Sequence, residues 1–132
     1  ITNGKFQKLL QPKETLLVDG CHSQTSAKNL SDYLKKTNKT IYGIWGIQKN
    51  KQPEIFIKSF KKIFKKIITV RIPDENNSCD PIKLKKIAQQ NDIPADISPN
   101  ITSAIKKLSN KQEKIIVCFG SLYLVGKILS MN

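Results

Sequence analysis

LLVDGCHSQTSAKNL, residues 16–30, changes its period half-way along. Leu16, Leu17 and Val18 are an apolar run with the length and composition of a buried strand, and the run stops at Asp19 and Gly20. From Ser23 onward the apolar positions Ala27, Leu30 and Leu34 fall at helical spacing instead. Ser23 is placed to cap that helix, and Lys35 and Lys36 lie where cations favour the negative end of its dipole. A strand that passes through a glycine turn into a capped helix is the repeating unit of a sheet covered by helices.

Reading outward, the unit recurs. Apolar strands are expected at 40–47, 66–72, 95–98 and 114–119, in addition to 15–19. A helix is expected from Pro53, which suits a first turn, with Ile57, Phe60 and Phe64 on one face. Asp80 and Pro81 read as N-cap and first residue of a helix carrying Leu84, Ile87 and Ala88. Ile101, Ala104, Ile105 and Leu108 stand at i, i+3, i+4 and i+7, and a last helix is expected at 121–130. An opening strand at 5–10, followed by a turn at 11–14, completes the set. Together these elements predict one α/β domain spanning 1–132, with a six-stranded, mostly parallel sheet, right-handed crossovers and helices on both faces. The loops 20–23, 48–52, 73–78 and 120–121 would then gather at the carboxyl edge, where ligands bind in such sheets.

Composition supports a single packed domain: 132 residues, 39% of them hydrophobic, are enough for one core. No run approaches the roughly 18–20 apolar residues of a membrane span, and the first residues lack the features of a signal peptide, so a soluble, cytoplasmic protein is expected. Cys21, Cys79 and Cys118 are far apart and odd in number, which fits a reducing compartment rather than a disulfide framework or zinc site; no metal ligands are assigned. Cys118 reads as a small buried hydrophobe within its strand. The chain begins at Ile1 rather than methionine, which suggests a piece of something longer.

A formal net charge of +13 invites a nucleic-acid partner. Yet Arg71 is the only arginine, and sequence-specific readers depend on the planar arginine fork. The excess of Lys, Ile and Asn is what an AT-rich coding sequence produces, so the lysines read mainly as a solvated surface and no specific nucleic-acid function is assigned.

Chemistry concentrates in two segments. In VDGCHS, residues 18–23, a carboxylate, a glycine turn and the only histidine lie between a strand end and a helix start. Asp19 there could accept from a ribose hydroxyl or pair with a cation, and His22 could donate to a phosphate or carboxylate; an ordinary strand-to-helix connection has the same pattern. In IIVCFGSLYLVGKIL, residues 115–129, a buried strand runs through Gly120 into a helix that Ser121 can cap. This is not a P-loop: Gly120 to Gly126 and Lys127 is one residue too long, and Ile128 stands where the magnesium-binding hydroxyl belongs. Gly43 and Gly46 in YGIWGIQ do not make a dinucleotide fingerprint either.

Four motifs in order, GKFQ at 4–7, VDGCHS at 18–23, GIQKNK at 46–51 and FGSLYLVG at 119–126, resemble the C-terminal domain of the bifunctional folylpolyglutamate synthase/dihydrofolate synthase family, within the Mur ligase superfamily. They correspond to that family's GRLQ-type opening, its DGAHN, its G-x-x-x-DKD loop and its terminal GSLYL. The resemblance covers nearly the whole chain and implies a small Rossmann-like domain that closes over the active site of an ATP-dependent ligase. In that chemistry ATP phosphorylates a folate or dihydropteroate carboxyl group, and the amine of glutamate attacks the acyl phosphate. ATP and Mg2+ would be held mainly by an N-terminal P-loop ATPase domain, a partner absent from this chain. Carried over to matching positions, Asp19 and Lys5 would serve the nucleotide, Asp19 at the ribose. His22 and Ser121 would orient glutamate or the transferred group, and Lys51 would contact substrate, by positioning and electrostatics rather than nucleophilic attack.

The sequence also departs from the pattern. Lys5 stands for an arginine and lacks its bidentate geometry. Ser23 stands for asparagine, Asn50 and Gln52 for two aspartates, and PDENNS at 73–78 lacks the arginine often found there. The alternative to a ligase domain is therefore a non-catalytic basic α/β binding module or a degenerate remnant of such a ligase.

Overall fold

The computed structural model describes residues 4–132. Five strands, β1 (Glu14–Asp19), β2 (Ile41–Trp45), β3 (Lys66–Thr69), β4 (Ala95–Ile97) and β5 (Lys114–Phe119), form one sheet in the order β1-β5-β2-β3-β4. All four strand pairs are parallel. Five helices cover it: α1 (Gln24–Lys35), α2 (Pro53–Phe56), α3 (Pro81–Gln90), α4 (Ile101–Leu108) and α5 (Leu122–Met131).

Strand alternation divides the core in two. Ile115, Val117 and Phe119 of β5 face the side of α1, α2 and α3, where Ala27, Leu30, Phe56, Phe60 and Leu84 are buried. Ile116 and Cys118 face the other side, against Ile101, Ile105 and Leu108 of α4 and Leu124 and Ile128 of α5. Both faces of β5 are buried along its whole length, which is why its sequence is a continuous apolar run rather than an alternation.

The expected caps are in place. Ser23 and Ser26 form a reciprocal capping box at α1, Asp80 accepts from the Ile82 N–H at α3 with Pro81 in the first turn, and Ser121 caps α5. Two expectations are corrected. Residues 5–10 are not a strand; they contain a 3-10 turn at Gln7–Leu9, so the sheet has five strands instead of six. Phe6 and Leu10, four apart, both enter the core beside α4 and α5, a spacing that suits a turn as well as a strand in so short a run. The helix from Pro53 is also short: one α turn passes into a 3-10 turn at Ile57–Phe60, and Lys62 then adopts a left-handed conformation that ends it before Phe64. Phe64 still packs on Phe60 and Phe119, from the loop.

At the amino edge of the sheet, Glu14 and Lys114 are register partners and form a fully buried ion pair at 3.2 Å. Glu14 also accepts from the Gln11 N–H, the Ser109 hydroxyl and the Asn110 N–H, while Lys114 donates to the Leu108 carbonyl and to the Asn110 side chain. The pair thus closes the turn before β1 and the loop before β5 at once.

Candidate functional site

The order of the sheet puts β5 between β1 and β2, and its following helix lies on the opposite face from theirs. The loops leaving β1, β5 and β2 therefore diverge, opening a crevice at the carboxyl edge. A cavity of about 360 Å³ occupies it, lined by His22, Gln48, Asn50, Lys51, Ser121 and, on the rim, Leu122 and Tyr123. A second cavity of about 180 Å³ shares His22 and Lys51 and runs between Ser23, Gln24, Gln52, Ile55 and Phe56. His22 and Lys51 thus form the wall between the two clefts.

Each side chain has a local reason for its position. Gly120 adopts φ +112°, and a Cβ there would fall 2.3 Å from the Gly46 carbonyl oxygen and 2.7 Å from the Trp45 ring. Only glycine lets β5 end this close to β2, and the turn delivers Ser121 to the crevice. The Ser121 oxygen accepts from the Tyr123 and Leu124 N–H groups at 3.0 and 3.4 Å. Its lone pairs are engaged by the helix, so its hydrogen is the part left to donate. His22 Nδ1 lies 2.9 Å from the Gly20 carbonyl. A carbonyl oxygen only accepts, so Nδ1 carries the hydrogen and Nε2 is the nitrogen left for a ligand.

The loop carrying Lys51 is braced from outside. Gln48 bridges Ser78, the Lys49 N–H donates to Asn77, the Asn77 amide donates to Asn50, and the Cys79 N–H donates to Ile47. Among the described residues Lys51 has no acidic partner within ion-pair distance, and neither cleft is lined by an Asp or Glu. The amino-terminal ends of α1 and α5 add their positive poles, through Ser23 and Ser121 respectively. The crevice is accordingly built for an anion. Cys21, just beneath it, is no nucleophile: burial, with Asp19 nearby, pushes its thiol up to about 12.

Of the residues singled out from sequence, His22, Ser121 and Lys51 are brought together. Asp19 is not with them: its carboxylate accepts from the Cys21 N–H at 2.9 Å and lines a separate groove of about 380 Å³ beside α1, with Leu17, Ser26, Asn29, Leu30 and Tyr33. Lys5 is exposed at the other end of the molecule, where its N–H bonds to the carbonyl of Asn132 at the end of α5. Ten helical residues at roughly 1.5 Å each put it about 15 Å from Ser121. Gln48 and Tyr123 join the cleft without having been singled out; the signal available was that each lies inside one of the quoted motifs, GIQKNK and FGSLYLVG.

A family model described as the C-terminal domain of dihydrofolate synthetase matches residues 3–131. The chain belongs to this family. Solved structures agree on the fold of the dihydrofolate synthetase C-terminal domain. A folylpolyglutamate synthase of Mycobacterium tuberculosis, complexed with ADP and AMPPCP, superposes with a TM-score of 0.77 at 16% identity, over 88% of this chain and 29% of that one. The folylpolyglutamate synthase of Thermotoga maritima gives 0.73 at 25% identity, over 85% and 26%. A bifunctional folylpolyglutamate synthase/dihydrofolate synthase of Yersinia pestis, complexed with AMPPNP and Mn ion, gives 0.75 at 12%, over 87% and 28%. The domain thus spans under a third of each relative. Comparison with curated protein sequences returns no match.

A divalent metal does not fit this domain's own crevice. Its lining offers amides, hydroxyls, an imidazole and an ammonium, and among the described residues no group of three or more His, Cys, Asp and Glu side chains could hold an ion. Among the described residues no helix is long and apolar enough to cross a membrane.

Proposed function

We propose that this domain forms the glutamate side of an ATP-dependent ligase that joins glutamate to dihydropteroate or a folate, and that it works only with an ATP-binding domain in the same or another chain. The observation that carries the reading is the carboxylate-free crevice in which His22, Lys51 and the capped end of α5 converge. Glutamate brings two carboxylates and an amine, and these residues complement all three. Lys51 and the positive pole of α5 attract the carboxylates, the Ser121 hydroxyl donates to one of them, and His22 Nε2 accepts from the amine N–H and turns its lone pair toward the acyl carbon.

In the reaction, an oxygen of the folate or dihydropteroate carboxylate takes the γ-phosphoryl group of ATP and ADP leaves. The amine then forms a bond to the acyl carbon, and the bond from that carbon to the phosphate oxygen breaks. Phosphate leaves with the electron pair, and the proton lost by the amine passes along its hydrogen bond to His22 Nε2. ATP and Mg2+ belong to the partner domain; Asp19, from its separate groove, is the residue here that would reach a ribose hydroxyl. Lys5, bonded at the far end of α5, stands too far away to join the crevice.

Amide formation from labelled glutamate, ATP and dihydropteroate or tetrahydrofolate tests the reading. It is to be measured with this chain alone, with an N-terminal ATP-binding domain of a folylpolyglutamate synthase alone, and with both. Product is expected only from the mixture and falls sharply with His22→Ala at glutamate concentrations below the KM of the natural protein. A folded, mixed sample that makes no product contradicts the ligase reading and leaves the binding module, consistent with the uncharged Asn50 and Gln52 beside Lys51.

A further inference from the structure

The exposed apolar surface of this domain is concentrated on one helix. Leu122, Tyr123, Leu129 and Met131, four of the seven large hydrophobic residues exposed among those described, lie on α5. Leu124 and Ile128 of the same helix are fully buried, so α5 is apolar on two sides rather than one. On the outer side Leu122, Val125, Gly126 and Leu129 follow each other at i, i+3, i+4 and i+7, the spacing of a stripe that packs on a second surface. Leu122 is 64% and Leu129 55% exposed. A Cβ on Gly126 would meet nothing within 4 Å, so the stripe has a notch at its centre where another backbone can approach closely. Lys127, the one charge within the helix, is drawn aside to Asp74 at 3.3 Å. By contrast Ile82 on α3 stands singly beside Lys83 and Lys85.

We infer that this face of α5 is where the ATP-binding domain of the ligase docks, an inference that rests on the reading above. Two features select that occupant. The stripe is continuous with the crevice, since Leu122 belongs to both, so a body seated on it reaches the glutamate site. Its far end is also where a preceding domain would arrive: the Lys5 and Phe6 N–H groups are hydrogen-bonded to Asn132, immediately beyond α5. More than two thirds of each matched folylpolyglutamate synthase lies outside the part that corresponds to this domain, ample to cover a ten-residue helix. A second copy is disfavoured as the occupant by the net charge of +13 on each.

The test joins the part of the Thermotoga maritima synthase outside the matched region to the amino end of this chain, in place of that enzyme's own C-terminal part. Leu129→Cys is introduced, and maleimide labelling is timed in the fusion and in the chain alone. Cys21, Cys79 and Cys118 are buried, so background labelling is slow. Ile82→Cys serves as the control. Docking predicts labelling at position 129 at least tenfold slower in the fusion and unchanged at position 82; Gly126→Leu, which has open space in the chain alone, should keep the fold and restore fast labelling. Equal rates at position 129 in both proteins overturn the docking face. Slow labelling in the chain alone that quickens on dilution also overturns it, in favour of a second copy. Amide formation by the same fusion separates the two ideas: activity with position 129 open leaves the ligase reading and removes the docking face, inactivity with position 129 protected does the reverse, and inactivity with position 129 open removes both.

Discussion

Single residues carry two different loads in this domain. Gly120 is fixed by sterics: any side chain there meets the Gly46 carbonyl and the Trp45 ring, and its φ of +112° is strained for other residues. Gly120→Ala is expected to cost about 2 kcal/mol or more in urea unfolding, and to displace Ser121. Glu14 is fixed by electrostatics. Burial raises its carboxyl, but the Ser109 hydroxyl, the Gln11 and Asn110 N–H groups and Lys114 outweigh that, and the net result lies below the ordinary value of 4.5. A carboxyl depressed by folding stabilises the protein above its unfolded value, and that contribution is lost as pH falls through the folded one. The stability advantage of the natural protein over Glu14→Gln should therefore be full at neutral pH and shrink below about pH 4.5, read from urea midpoints. Lys114→Met alone leaves a buried carboxylate without its counter-charge and should cost about 3 kcal/mol, read from the same urea midpoints.

At the scale of elements, the alternation of strand and helix was legible because β5 is apolar on both faces while α1, α3 and α4 each bury a single stripe. Asp80 with Pro81 and Ser23 with its glycine turn announced their helices, because capping is a local transaction between a side chain and the next few N–H groups. Residues 5–10 were misread for the opposite reason: what holds them is Asn132, more than a hundred residues away, and no local pattern reports that. The site was legible in the same uneven way. His22 and Ser121 lie at strand-to-helix turns with strong local signals, but the separation of Asp19 from them depends on β1 being an edge strand, which only the sheet order reveals. Ser121 caps α5 and, on the proposed reading, also donates to glutamate. Ser121→Ala is expected to lower stability by about 1 kcal/mol, the usual value of an N-cap, and also to weaken glutamate binding. Asn100→Ala, which removes a cap from α4 beyond the far edge strand β4, should cost a similar amount of stability and leave glutamate binding unchanged.

For the molecule as a whole, the geometry divides labour between the edges of one sheet. The amino edge is closed by the buried Glu14–Lys114 pair and the loops it ties, and the carboxyl edge is left open, free of lining carboxylates and bordered by two helix ends of positive polarity. On the proposed reading this crevice takes glutamate, and ATP and its metal belong to a partner domain. Steady-state kinetics of the reconstituted ligase with Lys51→Gln and His22→Ala separate those roles most directly. Each lost charge-assisted hydrogen bond is worth about 1.5–3 kcal/mol. KM for glutamate should thus rise about tenfold or more in each variant, with KM for ATP unchanged within about twofold. A rise in KM for ATP with glutamate unaffected would place the nucleotide in the crevice and contradict the account.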